Sequence, residues 1–281
     1  MGAGMATRLL SMGHEVAVWN RTRSRAELLA AYGARVATSP ADCAQSAEFV
    51  FSMVADDDAS RQIWLGTDGA LATIPRGAVC VECSTLSPTW IETLGAAAAE
   101  KGCALLDAPV TGARSHAADG QLLFLVGGEA AVLESARPVL ASMSRGIVYF
   151  GPLGNGARMK LINNFLCGVQ AASLAEAIAT AENCSLDLRQ VFQVLSNGAP
   201  GSPLVKLVGQ RMLDRSYDPI FHLGLMAKDL RYSLHMGAGA GLQLPVVAGA
   251  LAEFERAIAV GLGELDFASV VEPLREKQPK P

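Results

Sequence analysis

The chain has 281 residues, which is enough for two domains of ordinary size. Hydrophobic residues make up 51% of it and the formal net charge is -4, which is typical of a globular α/β enzyme and excludes general electrostatic attraction to nucleic acid or an anionic membrane. No uninterrupted apolar run reaches the roughly 20 residues of a transmembrane helix, and no signal-peptide pattern opens the chain. We therefore expect a cytoplasmic protein.

The first half of the chain alternates short β-branched runs with amphipathic stretches. A helix is predicted from Gly2 to Met12, a second over residues 24–32 and a third after Ser87-Pro88. Strands are predicted over residues 15–19, 48–54, 78–83, 104–107, 122–126 and 147–150. Strands that alternate with helices predict a mostly parallel sheet covered on both faces, as in a Rossmann domain.

The pattern changes after Gly151, where strand-like alternation ends. Ala- and Leu-rich stretches predict helices over residues 156–184, 187–197, 203–213, 222–239 and 244–260. We expect a cofactor-binding domain over residues 1–151 and an all-helical substrate and dimerisation domain over residues 152–281. The first of these helices is apolar on nearly every side, which predicts that a second subunit covers part of it in a homodimer or homotetramer.

Six cysteines are scattered along the chain. Cys80 and Cys83 form a C-x-x-C pair, but they lie within an apolar run that predicts a strand, and no second Cys/His pair completes a zinc site. The four histidines show no metal-ligand spacing. Asp56, Asp57 and Asp58 follow a strand and are interpreted as a helix start rather than a metal site. We expect core thiols in a reducing compartment, and no metal.

The first residues resemble the end of a Gly-x-Gly-x-x-Gly loop, with Gly2 as its last glycine, where a helix N-terminus holds a pyrophosphate. Asn20, Arg21, Thr22 and Arg23 follow the second strand. NAD enzymes usually place Asp or Glu there, for the ribose 2′-hydroxyl. Two cations without a carboxylate favour a 2′-phosphate, and hence NADP; the alternative is a solvated basic turn.

Two segments carry candidate chemistry. The turn from Asp107 to Ala113 ends a strand, contains the hydroxyl of Thr111, and offers N–H groups for a substrate carboxylate. On the helix after Gly156, Lys160 and Asn164 stand four residues apart and share one face. The Lys160 ammonium could donate to a carbonyl oxygen, and its neutral amine could take an alcohol proton. The alternative is a lysine that extends from an apolar helix into solvent.

These segments together resemble the β-hydroxyacid dehydrogenase family over essentially the whole chain. The matching motifs, in order, are residues 1–6, Asn20-Arg21-Thr22, Glu82-Cys83-Ser84-Thr85 with Ser87-Pro88, residues 107–113, residues 156–164, and Lys228-Asp229-Leu230. The resemblance implies that Lys160 is the acid/base, that Asn164 helps to hold the substrate, and that Thr111 and Gly112 bind its carboxylate.

The same resemblance implies that Val54 and Thr85 lie along the cofactor and that Lys228 comes in beside it from the helical domain. The chain departs from the family pattern at two positions: Thr111 is commonly Ser, which keeps the hydroxyl, and Ala113 is commonly Gly, which leaves the substrate open. The segment 112–120 is more similar to the semialdehyde-reductase branch than to the 3-hydroxyisobutyrate branch.

The resulting expectation is an oxidoreductase that interconverts a small β- or γ-hydroxyacid and its semialdehyde or keto acid. It would use NADP, preferring NADPH, with NAD possible, and its cofactor and small carboxylate would lie in the cleft between the domains. One alternative is an NAD-preferring 3-hydroxyisobutyrate dehydrogenase. Another is a non-catalytic assembly domain, whose mark would be loss of the lysine. A third is imine reduction, where this fold carries a different residue in place of Lys160.

The resemblance also implies an N-terminally truncated Rossmann domain. The central first strand and the earlier glycines of the loop have no counterpart in the chain, so we expect about eight to ten further residues ahead of Met1 in the native protein. Without them, the 281-residue chain is expected to bind NADPH poorly and to aggregate.

Overall fold

The structure is a computed structural model that describes residues 1–275. Its chain divides into two compact units, one of Met1–Lys160 and one that begins at Leu161. The division falls inside a helix of 29 residues, α8 (Asn155–Asn183), so this helix begins in the first unit and continues in the second.

The first unit alternates strands and helices, as predicted. In chain order it contains α1 (Gly2–Ser11), β1 (Ala17–Val18), α2 (Arg23–Glu27), β2 (Arg35–Val36), α3 (Pro40–Ala44), β3 (Phe49–Ser52), α4 (Asp57–Leu65), β4 (Val79–Glu82), α5 (Pro88–Glu100), β5 (Ala104–Asp107), β6 (Val110–Thr111), α6 (Arg114–Ala118), β7 (Leu122–Val126), α7 (Ala130–Ser142), β8 (Ser144–Tyr149) and the start of α8. The two-residue strands β2 and β6 were not predicted, because two residues carry no periodicity.

The strands form three short sheets rather than one. They are β1–β2, β3–β4–β5 and β6–β7–β8, and every pairing is parallel except that of β6 with β7. An isolated antiparallel bridge joins Asp107, at the end of β5, to Gly127, just after β7. The prediction of mostly parallel strands is thus confirmed, but the strands form three sheets where one was predicted.

Strand β4 shows how the middle sheet is covered. All four of its residues are buried. Val79 and Val81 pack in one hydrophobic cluster with Leu106 and Phe124. Cys80, which points the other way because side chains alternate along a strand, packs in a second cluster built around α4 and α5. Burial on both faces is why the strand is apolar up to its last residue, Glu82.

Side-chain caps start several of these helices. Ser39 and Ser87 accept hydrogen bonds from N–H groups in the first turns of α3 and α5, and each is followed by proline. Asp56 accepts from the N–H of Ala59 at 2.8 Å and begins α4, with two further acidic residues in its first turn. The interpretation of the three aspartates as a helix start is therefore confirmed.

The second unit is helical. After the remainder of α8 come α9 (Leu188–Asn197), α10 (Pro203–Asp214), α11 (Leu223–Gly239), α12 (Pro245–Ala259), a 3₁₀ turn (Phe267–Val271) and α13 (Glu272–Arg275). Up to Arg275, where the description ends, it contains no strand. Its core packs around Met212, Leu230 and Phe254. A Cβ at Gly168 would lie 2.8 Å from Leu230, so glycine lets α8 approach α11 closely.

Helix α8 is apolar on most of its surface, as its sequence predicted. Its best 18-residue window has a mean hydropathy of 1.2 and is 44% buried, so by length and composition this one helix of the described chain could cross a membrane. Core helices of globular proteins have the same properties. Ile162 and Leu166 remain exposed, at 39% and 51%.

Candidate active site

The N-terminus of α1 suits an anion. The helix has no capping side chain and no acidic residue in its first turn, so its first N–H groups are unsatisfied by the helix itself. A Cβ at Gly4 would lie 3.0 Å from Ala117, so this glycine serves close packing on α6. At Gly2 a Cβ would make only an ordinary 3.4 Å contact with Met53. The end of the helix, rather than crowding at Gly2, is what fits a dinucleotide pyrophosphate.

The turn after β1 separates the two candidate cations. Asn20 accepts a hydrogen bond from the N–H of Thr22 at 2.9 Å, which shapes the turn. Arg23 donates to Glu27 at 2.8 Å on α2. Arg21 is exposed and makes no side-chain hydrogen bond or ion pair within residues 1–275. Of these two cations, Arg21 is thus the one that no other side chain of residues 1–275 engages.

The loops that follow β3 and β4 are tied together by one buried carboxylate. Val54 donates its N–H to Ser84 Oγ at 2.8 Å, and Ser84 donates its own N–H to Glu82 Oε1 at 2.9 Å. The other oxygen of Glu82 accepts from Ser60 Oγ at 2.7 Å and from Trp64 Nε1 at 2.9 Å. The buried carboxylate of Glu82 thus fixes the positions of Val54 and of the segment that carries Thr85.

The sequence motif Glu82-Cys83-Ser84-Thr85 included Glu82 without a role of its own, although a signal for such a role was visible. It is a glutamate within the otherwise apolar run 79–83, and the structure buries it completely. A buried charge is tolerated only when it is hydrogen-bonded, so a lone carboxylate in such a run predicts polar partners from elsewhere in the chain. Those partners come from α4 and from the turn after β4, and no local pattern connects them.

The candidate substrate loop begins at the end of β6. Gly112 has φ of +130°, a conformation that favours glycine. The N–H of Ala113 donates to His116 Nδ1 at 2.9 Å, so the imidazole occupies one of the N–H groups expected to face a carboxylate. A cavity of about 550 Å³ is lined by Thr111, Gly112, His116, Gln121 and Arg145. The structure thus adds an imidazole and a guanidinium to the loop, which the sequence reasoning did not.

Asp107 connects this loop to the start of α8. Its Oδ1 accepts the N–H of Gly154 at 2.8 Å and its Oδ2 accepts the N–H of Ala157 at 2.7 Å. The residue is completely buried. Burial raises the pKa of Asp107 to about 6, against the opposite effect of the two N–H donors and of Arg158. Asp107 was predicted only as the first residue of the loop, without a role of its own.

Lys160 and Asn164 lie one turn apart on α8. Lys160 is half-buried, and Asn164 is 5% exposed. Asn164 donates through Nδ2 to Asp229 Oδ2 at 2.6 Å and accepts at Oδ1 from Asn163 Nδ2 at 3.0 Å. The amide is therefore fixed in one orientation.

Asp229 also contacts the predicted cofactor lysine. The ammonium of Lys228 lies 3.1 Å from Asp229 Oδ1 and 5.0 Å from the ring centroid of Tyr232. Asp229 is 1% exposed, so this carboxylate is buried between an amide and an ammonium. Within the second unit the structure thus brings Asn164 and Lys228 together through Asp229, which the motif Lys228-Asp229-Leu230 contained without an assigned role.

We expect Asp229→Ala to destabilise the chain by about 3–5 kcal/mol, because it leaves a largely buried ammonium and a buried amide without their shared acceptor. The measurement is the free energy of unfolding in denaturant. Glu255→Ala is the matched control. Glu255 on α12 pairs at 2.8 Å with Arg231, which lies on α11 like Asp229, but about half of each side chain is exposed. Exposed pairs contribute about 0–1 kcal/mol. Equal losses in the two variants would contradict the assignment.

The expectation of core thiols holds for Cys80, Cys83 and Cys103, which are buried, but not for Cys184, which is exposed. None of the six forms a disulfide. Burial raises the pKa of Cys80 to about 12 and that of Cys83 well above its ordinary value, so neither thiol is a ready metal ligand or nucleophile. Over residues 1–275 no group of three or more His, Cys, Asp or Glu side chains is arranged to hold a metal ion.

Two family models together match almost the whole chain. The NAD binding domain of 6-phosphogluconate dehydrogenase matches residues 1–151. The model described as NAD-binding of NADP-dependent 3-hydroxyisobutyrate dehydrogenase matches residues 154–274. The chain belongs to the β-hydroxyacid dehydrogenase family. The family and the fold class predicted from its motifs, a Rossmann-like unit followed by a helical one, are confirmed.

Individual members of this family are similar to the chain over nearly its full length. Glyoxylate/succinic semialdehyde reductase 1 of Arabidopsis thaliana is 33% identical, over 98% of this chain and 95% of that protein. NAD-dependent L-serine dehydrogenase of Pseudomonas aeruginosa is 36% identical, over 98% and 94%. A structure of Mycobacterium tuberculosis 3-hydroxyisobutyrate dehydrogenase with L-serine has a TM-score of 0.88 and 30% identity, over 98% and 96%.

The family establishes nicotinamide-dependent oxidoreduction of hydroxyacids as the class of chemistry. It does not select the cofactor, because one family model names NADP and one relative is named as NAD-dependent. The residues present fit a nicotinamide dinucleotide, since the uncapped end of α1 suits its pyrophosphate and the turn with Arg21 follows β1.

Proposed function

We propose that the chain catalyses the NADPH-linked reduction of a small carboxylate that bears an aldehyde or keto group, and the reverse oxidation of the hydroxyacid, with Lys160 as acid/base. The observation that carries the proposal is the pair Lys160 and Asn164, one turn apart on a helix whose first turn is fixed by Asp107 at the start of the candidate substrate loop. Similarity to the semialdehyde reductase of Arabidopsis thaliana and to the other relatives supports the same chemistry.

Lys160 and Asn164 are assigned different roles in the reaction. A bound nicotinamide supplies or accepts the hydride. In the reductive direction Lys160 donates a proton from Nζ to the carbonyl oxygen, so that no free alkoxide has to form. In the oxidative direction its neutral amine takes the alcohol proton. Asn164, with one N–H held by Asp229, keeps its second N–H as a donor to the substrate.

The substrate carboxylate is assigned to the Thr111–Gly112 turn. The hydroxyl of Thr111 and the loop N–H groups are neutral donors that orient a carboxylate. Because the N–H of Ala113 is already donated to His116, that imidazole must turn away before Ala113 can contribute. Arg145 lines the same cavity and is the cation there that would attract an acidic group of the substrate.

The cofactor is assigned as NADPH. Of the two cations in the turn, Arg21 remains after Arg23 pairs with Glu27, and no carboxylate stands directly after β1 to accept from a 2′-hydroxyl. We assign Val54, Thr85 and Lys228 to the length of the cofactor, with Gly2 and the end of α1 at its pyrophosphate and Asn20 and Thr22 beside Arg21. A reducing cytoplasm suits both this reaction and the unpaired state of the buried thiols Cys80 and Cys83.

NADPH oxidation against a substrate panel tests the proposal. The panel consists of glyoxylate and the succinic, tartronic and methylmalonic semialdehydes, each assayed with NADPH and with NADH. We expect turnover of at least one semialdehyde and a higher kcat/KM with NADPH. No turnover of any substrate with either cofactor would contradict the proposal.

A second candidate is NAD-linked oxidation of a 3-hydroxyacid. It is favoured by the M. tuberculosis structure and by the P. aeruginosa relative, both of which are associated with L-serine by name. Oxidation assays of 3-hydroxyisobutyrate and L-serine with NAD and with NADP, run beside the panel, separate the two candidates. The second candidate requires NAD-linked oxidation of one of these hydroxyacids to exceed every NADPH-linked reduction.

We further propose that α8 packs against a second copy of this chain. Ile162 and Leu166 are exposed on a helix that is otherwise apolar, and covering them would remove their apolar surface from water. The expected result is a homodimer or homotetramer in sedimentation at micromolar concentration. Leu166→Lys should decrease the fraction of chains in that oligomer. A monomeric wild-type chain would contradict this prediction.

A further inference from the structure

Asp107 stands where three parts of the first unit meet. It is the last residue of β5, and its N–H and C=O pair with Gly127 at 3.1 and 2.8 Å, next to the end of β7. Its side chain accepts the N–H groups of Gly154 and Ala157, in and just before the first turn of α8. A carboxylate in this place both satisfies N–H groups that the helix cannot and favours the positive end of the helix dipole.

Two glycines enclose this carboxylate. A Cβ at Gly156 would lie 2.9 Å from Asp107 Oδ2 and would overlap the backbone oxygen of Leu125. A Cβ at Gly127 would overlap Asp107 Oδ1. The close approach of these two glycines restricts the position of the carboxylate, and thereby the position of the helix start to which it is hydrogen-bonded.

The same residue adjoins both halves of the candidate chemistry in the first unit. The substrate loop begins directly after Asp107, and Lys160 follows Ala157 by three residues. We propose that Asp107 is a positioning residue for the reaction: its carboxylate fixes the first turn of α8, and with it Lys160, against the Thr111–Gly112 loop. This inference rests on the proposed function, in which Lys160 moves the proton.

The ionised form is the one that suits the contacts. A carboxylate accepts both N–H groups, whereas a protonated Asp107 carries its own O–H on one oxygen and opposes one of them. Because burial raises the pKa of Asp107 to about 6, this change falls near neutral pH. Turnover should then decline along a one-proton limb as the pH falls through about 6.

Few charges face this carboxylate from the elements around it. Arg158 on α8 favours its ionised form and is itself paired with Glu92 on α5 at 2.6 Å. Glu82 on β4 is the register neighbour of Asp107, and both its oxygens are already hydrogen-bonded. The end of β7 offers only Gly127 and Gly128. Asp107 is thus the group in this set that combines a pKa of about 6 with contact to the helix start.

Stability and activity should move in opposite directions with pH. A carboxyl group whose folded pKa is raised from 3.8 to about 6 binds its proton more tightly when folded, so acidification from pH 6 to 4 stabilises the fold through this group. Loss of turnover in that window would therefore not be loss of folding. A purely structural role for Asp107 predicts no such divergence.

Asp107→Asn is the first test. The amide keeps the size of the side chain but faces one N–H with its own NH₂ group. We expect kcat to fall about 10- to 100-fold, as for a small displacement of a catalytic group. NADPH affinity should stay within about twofold, and the acid limb near pH 6 should disappear. An unchanged kcat, or a variant that keeps the limb, would overturn the inference.

Asp266→Asn is the matched control. Asp266 is also completely buried and accepts the N–H groups of Ile220, Phe221 and Ala268, but it lies in the second unit. It should lose stability while keeping the acid limb of the wild type. If Asp266→Asn lost the limb as well, general destabilisation rather than positioning would explain both variants.

A direct readout does not depend on turnover. The ¹⁵N amide shift of Ala157 should titrate with a midpoint near pH 6 in the wild type and should not titrate in Asp107→Asn. A flat wild-type titration would overturn the inference. Lys160→Ala distinguishes failure of the proposed function from failure of this inference. An active Lys160→Ala would contradict the proposed function. An inactive Lys160→Ala together with a fully active Asp107→Asn would contradict only the positioning role of Asp107.

Discussion

Lys160→Ala is expected to lower kcat by about 10²–10⁴ while NADPH affinity stays within about twofold, because a positioned proton donor contributes in that range to the transition state. The half-buried lysine lies on an apolar stretch of α8, three residues beyond the N–H that Asp107 holds. The measurements are steady-state turnover with the best substrate of the panel and cofactor binding by NADPH fluorescence.

Lys160→Arg separates proton transfer from charge. Arginine keeps a cation near the substrate but does not give up its proton at accessible pH, whereas lysine can. If Lys160 acts as acid/base, Lys160→Arg should be nearly as inactive as Lys160→Ala. If Lys160 only attracts a carboxylate, the arginine variant should regain much of the activity.

Lys206→Ala is the control for this pair, since Lys206 is an exposed residue of α10. It should leave both kcat and NADPH binding unchanged. Should Lys160→Ala keep more than about a tenth of wild-type turnover, the loss would fall below the range of a general acid, and Lys160 would not be the proton donor.

Arg21→Asp is expected to shift the ratio of kcat/KM for NADPH over NADH by about 10- to 150-fold toward NADH, the size of one charge-assisted hydrogen bond. The substitution removes the guanidinium proposed for the 2′-phosphate. It also places a carboxylate where NAD enzymes usually carry one for the 2′-hydroxyl. The measurement is kcat/KM for both cofactors at a fixed, saturating concentration of substrate.

Arg23→Asp is the comparison variant on the same turn. Arg23 donates to Glu27 in an exposed pair, so its replacement mainly removes a weak contact on α2. We expect a much smaller change in the cofactor ratio than for Arg21→Asp. If the two variants changed the ratio equally, the field of the basic turn, rather than a specific contact of Arg21, would select NADP.

Much of the fold follows from local sequence patterns. The short apolar run of residues 78–83 predicted β4, and Ser87-Pro88 predicted the start of α5, because an apolar run and a helix cap are properties of adjacent residues. The change after Gly151 predicted the helical unit for the same reason. The two-residue strands β2 and β6 could not be predicted, since two residues carry no periodicity and only pairing with β1 and β7 defines them.

The candidate site divides in the same way. The sequence alone identified the candidate side chains. The spacing of Lys160 and Asn164 and the charge of the turn around Arg21 are properties of residues close together in the chain. The partners of those side chains were decided by tertiary structure alone. Asp229 reaches Asn164 across 65 positions of sequence, and Asp107 reaches Ala157 across 50. A buried carboxylate must find donors wherever the fold brings them, and sequence proximity does not say where that is.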